Sequence, residues 1–237
     1  MSTVFTVYRA LFAFLGDEYM NVKRVQAMAL ASRIIPNVDG GLKEQLKLSN
    51  HIKSLAIITS TSDDVGYTAL DEATKNAMVE VVYAKSFYAG AAHSSGPLSG
   101  EFIGILGGST PSEVKSGLEV AVRMINDGPS FYAVDEEGNH AYYAHTISRS
   151  GTFLSKQAGI NAGEPLAYLI APPLEAMVGL DAALKAADVR LCVFYGPPTE
   201  TNFGGGLLTG SQAACSAAAE VFAETVRKVA ISPHYTF

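Results

Sequence analysis

Apolar and polar positions along the chain spell out a succession of short elements. Ser54–Ser60 (SLAIITS) is a short apolar run with polar ends, which predicts a buried strand. Thr68–Ala77 places Ala, Leu and Met on one face and Glu72, Lys75 and Asn76 on the other, the pattern of a helix. Val79–Tyr83 (VEVVY) alternates and is rich in β-branched residues, and Glu101–Leu106 (EFIGIL) returns as a strand. Between them Lys85–Gly100 holds no regular pattern, and its Gly, Ser and Pro content predicts a long mobile loop. Thr110-Pro111-Ser112-Glu113 is a capping box with Pro in the first helical position, opening a helix to about Asn126. Upstream, Val22–Ile35 is a mixed apolar segment that ends in a turn at Pro36-Asn37, and Gly41–Leu48 reads as a short amphipathic helix.

The pattern then repeats. Phe131–Ile147 reads as two aromatic-rich strands around Glu136-Glu137-Gly138-Asn139, a hairpin signature. Leu166–Ala171 (LAYLIA) matches the earlier buried strand, Leu174–Ala187 the helix, and Val189–Tyr195 (VRLCVFY) the next strand. A second flexible loop, Gly196–Gly206, precedes a short strand at Leu207-Leu208. Thr209 and Gln212 then promise a second capping box for a helix ending near Val229. The echo is also literal: Leu70–Val79 recurs as Leu180–Val189 with Leu, Asp, Ala, Lys, Ala and Val in register. Copies of about 110 residues are too long for a solenoid unit and suit two related small domains. The expectation is an α+β fold of two tandem domains, each an antiparallel sheet flanked by helices, with residues 21–127 and 128–237 as the domains and 1–20 as an extension. That extension is read as amphipathic, or as an artefact of start-site choice with Met20 as the true start.

Composition narrows the partners. The chain has 237 residues, 48% hydrophobic and only 17% charged, so little charge is left for a large solvated surface and assembly with other protein is expected. A net charge of −6 offers no basic stripe for nucleic acid. No apolar run approaches the roughly 18 residues of a membrane span, so no membrane partner is expected. Cys192 and Cys215 read as small apolar residues in a reducing cytoplasm rather than as a disulfide or metal pair. Ser95, Ser211, His93 and His145 lack the surroundings of a nucleophile motif, and His140 and His145 fall on opposite faces of a strand. No enzymatic activity, no metal and no cofactor is expected.

The repeated unit, an Ala-rich helix with a Lys, a Val/Leu strand, a Gly-rich loop, a short strand and a second Ala-rich helix, resembles the bacterial microcompartment (BMC) shell domain. GGGLLTGSQAACSAAAEVF is close to its pattern, and each half ends on the second helix, as in the circularly permuted form of the domain. SDDVGYTALDEATKNAMVEVVYAKSFYAGAAH, with PLAYLIAPPLEA and SQAAC, is similar to the tandem-domain trimeric shell proteins of ethanolamine-utilising compartments. The resemblance runs from about Val22 to the C-terminus. It implies a homotrimer that is pseudo-hexagonal, tiles with other shell proteins around cytoplasmic enzymes, and passes small molecules through pores.

The resemblance also assigns roles. Lys75 and Lys185 would lie at tile edges; the plain alternative is that each is simply solvated. Phe87, Tyr88, His93, Asn202 and Phe203, on the two loops, would plug or line a gated central pore; the alternative is a pair of surface loops. Asp63, Asp64 and Glu101 would contact ethanolamine in a smaller pore within each subunit, where charge-assisted hydrogen bonds suit a primary ammonium. The alternative is that Asp63 and Asp64 cap the helix. The second half has Pro172-Pro173-Leu174 at the matching place, so one such site per chain is expected, with Glu175 solvated or capping. A corrinoid docking between subunits, a soluble trimeric amine sensor and a shell protein of a propanediol-type compartment remain open readings.

Overall fold

A computed structural model describes residues 23–88, 96–135, 138 and 140–234. The expected extension and His93 therefore lie outside the described residues, as do Glu136, Glu137 and Asn139 of the hairpin turn. In chain order the elements are β1 (Arg24–Val25), β2 (Ala29–Ile35), α1 (Gly40–Gln45), β3 (Ser54–Ser60), α2 (Asp63–Asn76), β4 (Glu80–Ser86), β5 (Phe102–Gly108) and α3 (Pro111–Asp127). They continue with β6 (Phe131–Ala133), β7 (Ala141–Ile147), α4 (Thr152–Ala158), β8 (Leu166–Ala171), α5 (Pro173–Ala186), β9 (Val189–Tyr195), β10 (Gly204–Gly210) and α6 (Gln212–Ile231).

Two antiparallel sheets result, one ordered β2-β3-β5-β4 and the other β1-β6-β7-β8-β10-β9. The order β7-β8-β10-β9 repeats β2-β3-β5-β4, so the sequence echo is an echo of topology. The pairing repeats too: Ala56 faces Leu106 across β3 and β5, and Ala167 faces Leu208 across β8 and β10. β1 departs from the repeat by joining β6, so the start of the described chain is tied to the second sheet.

Each sheet buries one face under its own helix pair. Ala56, Ile58 and Leu106 pack with Val65, Ala69, Val114, Ala121 and Ile125 of α2 and α3. Ala167, Leu169, Ala171 and Leu208 pack with Ala176, Leu180, Ala183, Cys215, Ala218 and Phe222 of α5 and α6. The alternate residues of β8, Leu166, Tyr168 and Ile170, point the other way, into the core that α2 and α4 share with the first half. β8 is thus buried on both faces, which is why its sequence shows no alternation.

The capping box at α3 forms as expected: Thr110 Oγ1 accepts from Glu113 N at 3.2 Å, and Glu113 Oε2 accepts from Thr110 N at 3.2 Å. The second box does not. β10 runs on to Gly210, Thr209 donates to the Pro165 carbonyl at 2.8 Å, and Ser211 caps α6 by accepting from Ala214 N at 3.1 Å. The second loop is shorter than expected for the same reason. Its residues 196–203 are pinned by Thr199 N to the Phe203 carbonyl at 2.8 Å and by Asn202 N to the Thr199 carbonyl at 3.0 Å.

α4 has no counterpart in the sequence reading. Its N-cap is Gly151, which offers no side chain; the cap comes from α2, where Asp71 is 1% exposed. Asp71 Oδ2 accepts from Gly151 N at 2.6 Å and Oδ1 from Leu154 N at 2.8 Å. Burial nevertheless pushes the Asp71 carboxyl up, against these two donors and Lys75. Asp71→Ala strands two helix N–H groups in a buried place. It is expected to cost about 2–3 kcal/mol in urea unfolding, against no more than about 0.5 kcal/mol for the exposed Glu119→Ala.

Candidate functional site

Ser62 takes the N-cap of α2, its hydroxyl accepting from Val65 N at 3.5 Å, so neither aspartate is the cap. Asp63 and Asp64 occupy the first helical turn, where free N–H groups favour negative charge. Asp63 Oδ1 does take one such donor, Asp64 N at 3.0 Å. Both side chains are nevertheless buried, at 7% and 5% exposure, because the second half closes over them. Tyr168 of β8 donates to Asp64 Oδ1 at 2.6 Å, and Thr201 of the second loop donates to Asp63 Oδ2 at 3.3 Å.

The two acids open onto a cavity of about 260 Å³, walled by Tyr67 and α4's Gln157, by Lys85 and Ser86 of β4, by Tyr195 of β9 and by the turn Thr199-Glu200-Thr201. That volume suits a small ligand rather than a nucleotide-sized one. Tyr168 stacks edge-on against Tyr143 at 5.4 Å between centroids, and Tyr143 shares a 3.0 Å hydrogen bond with Thr68 one turn along α2. The hydroxyls therefore sit on a rigid aromatic wall.

Electrostatically the site is an uncompensated acidic pocket. Burial, then the Asp63 charge and, more weakly, Glu101, hold the Asp64 carboxyl well above its usual range, with the Tyr168 hydroxyl pulling the other way. Burial raises Asp63 as well, outweighing the Asp64 amide and the Thr201 hydroxyl. Among the described residues no Lys, Arg or His nitrogen lies within 4.0 Å of either carboxylate.

Glu101 is brought near but not in. It precedes β5, half-buried, and is raised by burial and by the Asp63 charge, yet it does not line the cavity. It is held by backbone: Glu101 N donates to the Ser60 carbonyl at 2.9 Å, and Phe87 N donates to the Glu101 carbonyl at 3.0 Å. Gly100 makes that approach possible. At φ +62° a β-carbon there would meet the Ser60 carbonyl oxygen at 1.9 Å.

Of the other expected residues, Tyr88 is exposed and Phe87 half-buried at the end of β4. Asn202 adopts φ +67°, and Phe203 packs edge-on against Phe131 at 5.8 Å rather than standing free. Lys75 and Lys185 share a repeat position but not an environment. Lys75, 17% exposed, pairs with Glu72 at 2.5 Å and donates to the Arg149 carbonyl at 2.9 Å; Lys185, 74% exposed, pairs with Asp181 at 2.6 Å. Glu175 is neither solvated nor capping: it lies 2.9 Å from His140 and is mostly buried. A larger cavity of about 540 Å³, lined by His51, Met78, Phe153 and Lys156 among others, contains none of the expected residues. No group of three His, Cys, Asp or Glu among the described residues has metal-site geometry.

Sequence reasoning missed Tyr67, Ser86, Tyr168, Tyr195 and Thr201. The available signal was Tyr168, a hydroxyl inside the apolar run LAYLIA, since a buried Tyr needs a polar partner.

The BMC domain family matches residues 54–134. The bacterial microcompartment shell protein EutL of Clostridium perfringens is 56% identical over 209 residues, 88% of this chain and 96% of that protein. The crystal structure of ethanolamine utilization protein EutL from Leptotrichia buccalis superposes with a TM-score of 0.89 at 59% identity, covering 92% of this chain and all of the other. The shell protein PduB of Citrobacter freundii is 31% identical over 177 residues, 72% of this chain and 62% of that protein. These relatives are structural shell proteins, not enzymes. The chain belongs to the EutL family of bacterial microcompartment shell proteins, and its place is in the microcompartment shell.

Proposed function

We propose that the chain is the shell subunit of an ethanolamine-utilising microcompartment, that three copies close into a pseudo-hexagonal plate, and that the acidic cavity binds ethanolamine. The observation that carries the trimer is a face covered in one half and bare in the other. On α2 the positions Asp64, Tyr67, Thr68, Asp71, Thr74 and Lys75 all meet the second half: Tyr168, Phe153, Tyr143, the α4 N-terminus, Thr152 N and the Arg149 carbonyl respectively. In the repeat register these become Leu174, Met177, Val178, Asp181, Leu184 and Lys185 on α5.

There Leu174, Met177 and Val178 are 57%, 48% and 44% exposed, an apolar stripe left open by the described residues of a single chain. The surface that covers α2 has its own first-half equivalent, the outer face of β2 and β3. Docking α5 of one copy on that face of the next repeats the contact already made inside the chain. Such a head-to-tail contact closes a ring of six half-units with three chains. Lys185, on the same helix and open to solvent, is the lysine placed to meet a neighbour, whereas Lys75 is spent inside the chain.

Ethanolamine suits the cavity because its ammonium supplies the countercharge that Asp63 and Asp64 lack, and its hydroxyl finds the tyrosine, serine and threonine hydroxyls that wall it. The Thr201–Asp63 bond ties this site to the loop carrying Asn202 and Phe203, which together with Phe87 and Tyr88 are proposed to line the central pore. A ligand shifts such a loop only by binding its two states unequally.

By sedimentation the wild type is expected at about 75 kDa, three chains of 25.0 kDa, and Val178→Glu at the mass of one chain; a trimeric Val178→Glu overturns the docking face. Electron microscopy of the wild type is expected to show extended sheets, whereas isolated trimers alone would favour a soluble sensor. Ethanolamine is expected to protect the loop at residues 196–203 from proteolysis. Asp64→Ala should weaken that protection about 30-fold in concentration, the loss of a charge-assisted bond of about 2 kcal/mol. Unchanged protection in Asp64→Ala rules out the site.

A further inference from the structure

Two carboxylates on successive residues, each more than nine-tenths buried, face one small cavity; among the described residues no cationic nitrogen lies within 4.0 Å of either, and the lysine that lines the cavity, Lys85, stands at its exposed rim. Asp63 accepts from Asp64 N and from Thr201, and Asp64 Oδ1 accepts from Tyr168. Asp64 lines the cavity, and among the described residues its one side-chain donor is Tyr168. Like charges this close in a desolvated place do not both stay ionised without a countercharge. We infer that the free pair holds one proton between Asp63 and Asp64, and that a small ammonium ion binds by exchanging for it. This rests on the amine-site reading above and adds how the site is charged before and after.

The step balances. In the free site one carboxyl keeps its O–H bond and the other is ionised, leaving one net negative charge. On binding, that O–H bond breaks, the proton leaves to water, and both carboxylates accept from the ammonium N–H groups. The pair with its ligand again carries one net negative charge, so binding changes no net charge in the buried volume. Burial holds both acids up, and the exchange leaves the net charge in the buried volume unchanged while the ammonium supplies the countercharge to both carboxylates.

The other titratable groups around the pair leave this exchange intact. Tyr67 on α2, Tyr168 on β8 and Tyr195 on β9 are all pushed up by burial and stay neutral donors. Glu101, before β5, is raised by burial and by the Asp63 charge, which deepens the preference for a proton on the pair. Lys85 of β4 and Glu200 of the loop line the cavity from its exposed rim, where solvent screens them.

The sign follows from linkage. Because the proton is bound in the free state and absent in the complex, affinity rises with pH, by about tenfold per pH unit while the free pair is protonated, and levels off above its titration. The test is calorimetric titration of the full chain with ethanolamine from pH 5 to 8, in acetate and in MES at the acid end and in phosphate and in HEPES above it, each pair differing in protonation enthalpy so that the protons are counted. Wild type is expected to release close to one proton per amine at the acid end of the range. Asp63→Asn, which keeps the Asp64 acceptor and removes the like charge beside it, is expected to release fewer and to show a flatter pH profile. Binding of constant affinity with no proton released overturns the exchange and leaves the amine site standing. No binding by a folded wild type overturns both.

Discussion

The structure depends on one face of α2. A helix in an ordinary sheet-and-helix layer buries one side and shows the other to water, but α2 is covered twice. Its inner side packs on the first sheet through Val65, Ala69 and Leu70. Its outer side presents carboxylates and hydroxyls to the second half, where Tyr168, Tyr143 and the N-terminus of α4 satisfy them one by one. Burying Thr68 and Asp71 is tolerable because each finds its partner at the right height along the helix, whereas Asp63 and Asp64 keep demand that the cavity beside them leaves open. The contact fixes how the two halves sit, and with that the shape and chemistry of the acidic cavity.

Duplication followed by divergence gives this contact its meaning. The inner faces of α2 and α5 remain alike, since both pack small residues on a sheet. The outer faces have diverged: polar and satisfied within the chain on α2, apolar and uncovered on α5. A polar interface locked by hydrogen bonds suits a junction made once, when the chain folds. An apolar stripe suits one made by association, where burial of nonpolar area supplies the driving force without demanding that many donors be matched at once. The same divergence leaves Pro173-Leu174 where Asp63-Asp64 stand in the first half, so the acidic cavity belongs to the junction inside the chain and has no copy at the contact proposed between chains.

Much of this was legible from residues alone. The unbroken run LAYLIA marked a fully buried strand, Thr110 and Glu113 marked a helix start, and the Leu-Asp-Ala-Lys echo marked two like halves. What escaped was whatever depended on a partner distant in sequence. α4 carries no local cap, so its start left no signal; the cap is Asp71, far upstream. Tyr168 and Tyr143 act on α2 only after the halves meet. The second loop is rich in Gly and Pro, which predicted mobility, yet Thr199 folds it into a bonded turn and Thr201 fastens it to Asp63. Lys75 and Lys185 share a register, and register says nothing about which of them a second domain will cover.

A chain that carries within itself the pattern for its own assembly makes the same contact between copies as between its halves, and cross-linking at one matched pair tests this directly. Inside the chain Thr68 touches Tyr143; Ala31 pairs with Thr59 as Tyr143 pairs with Ile170, so the proposed docking sets Val178 of one copy against Ala31 of the next. With Cys192 and Cys215 replaced by Ala, and Val178 and Ala31 replaced by Cys, a short bismaleimide is expected to give a ladder of linked chains that ends at three. Chains that stay unlinked, or a ladder that runs past three, would contradict the account.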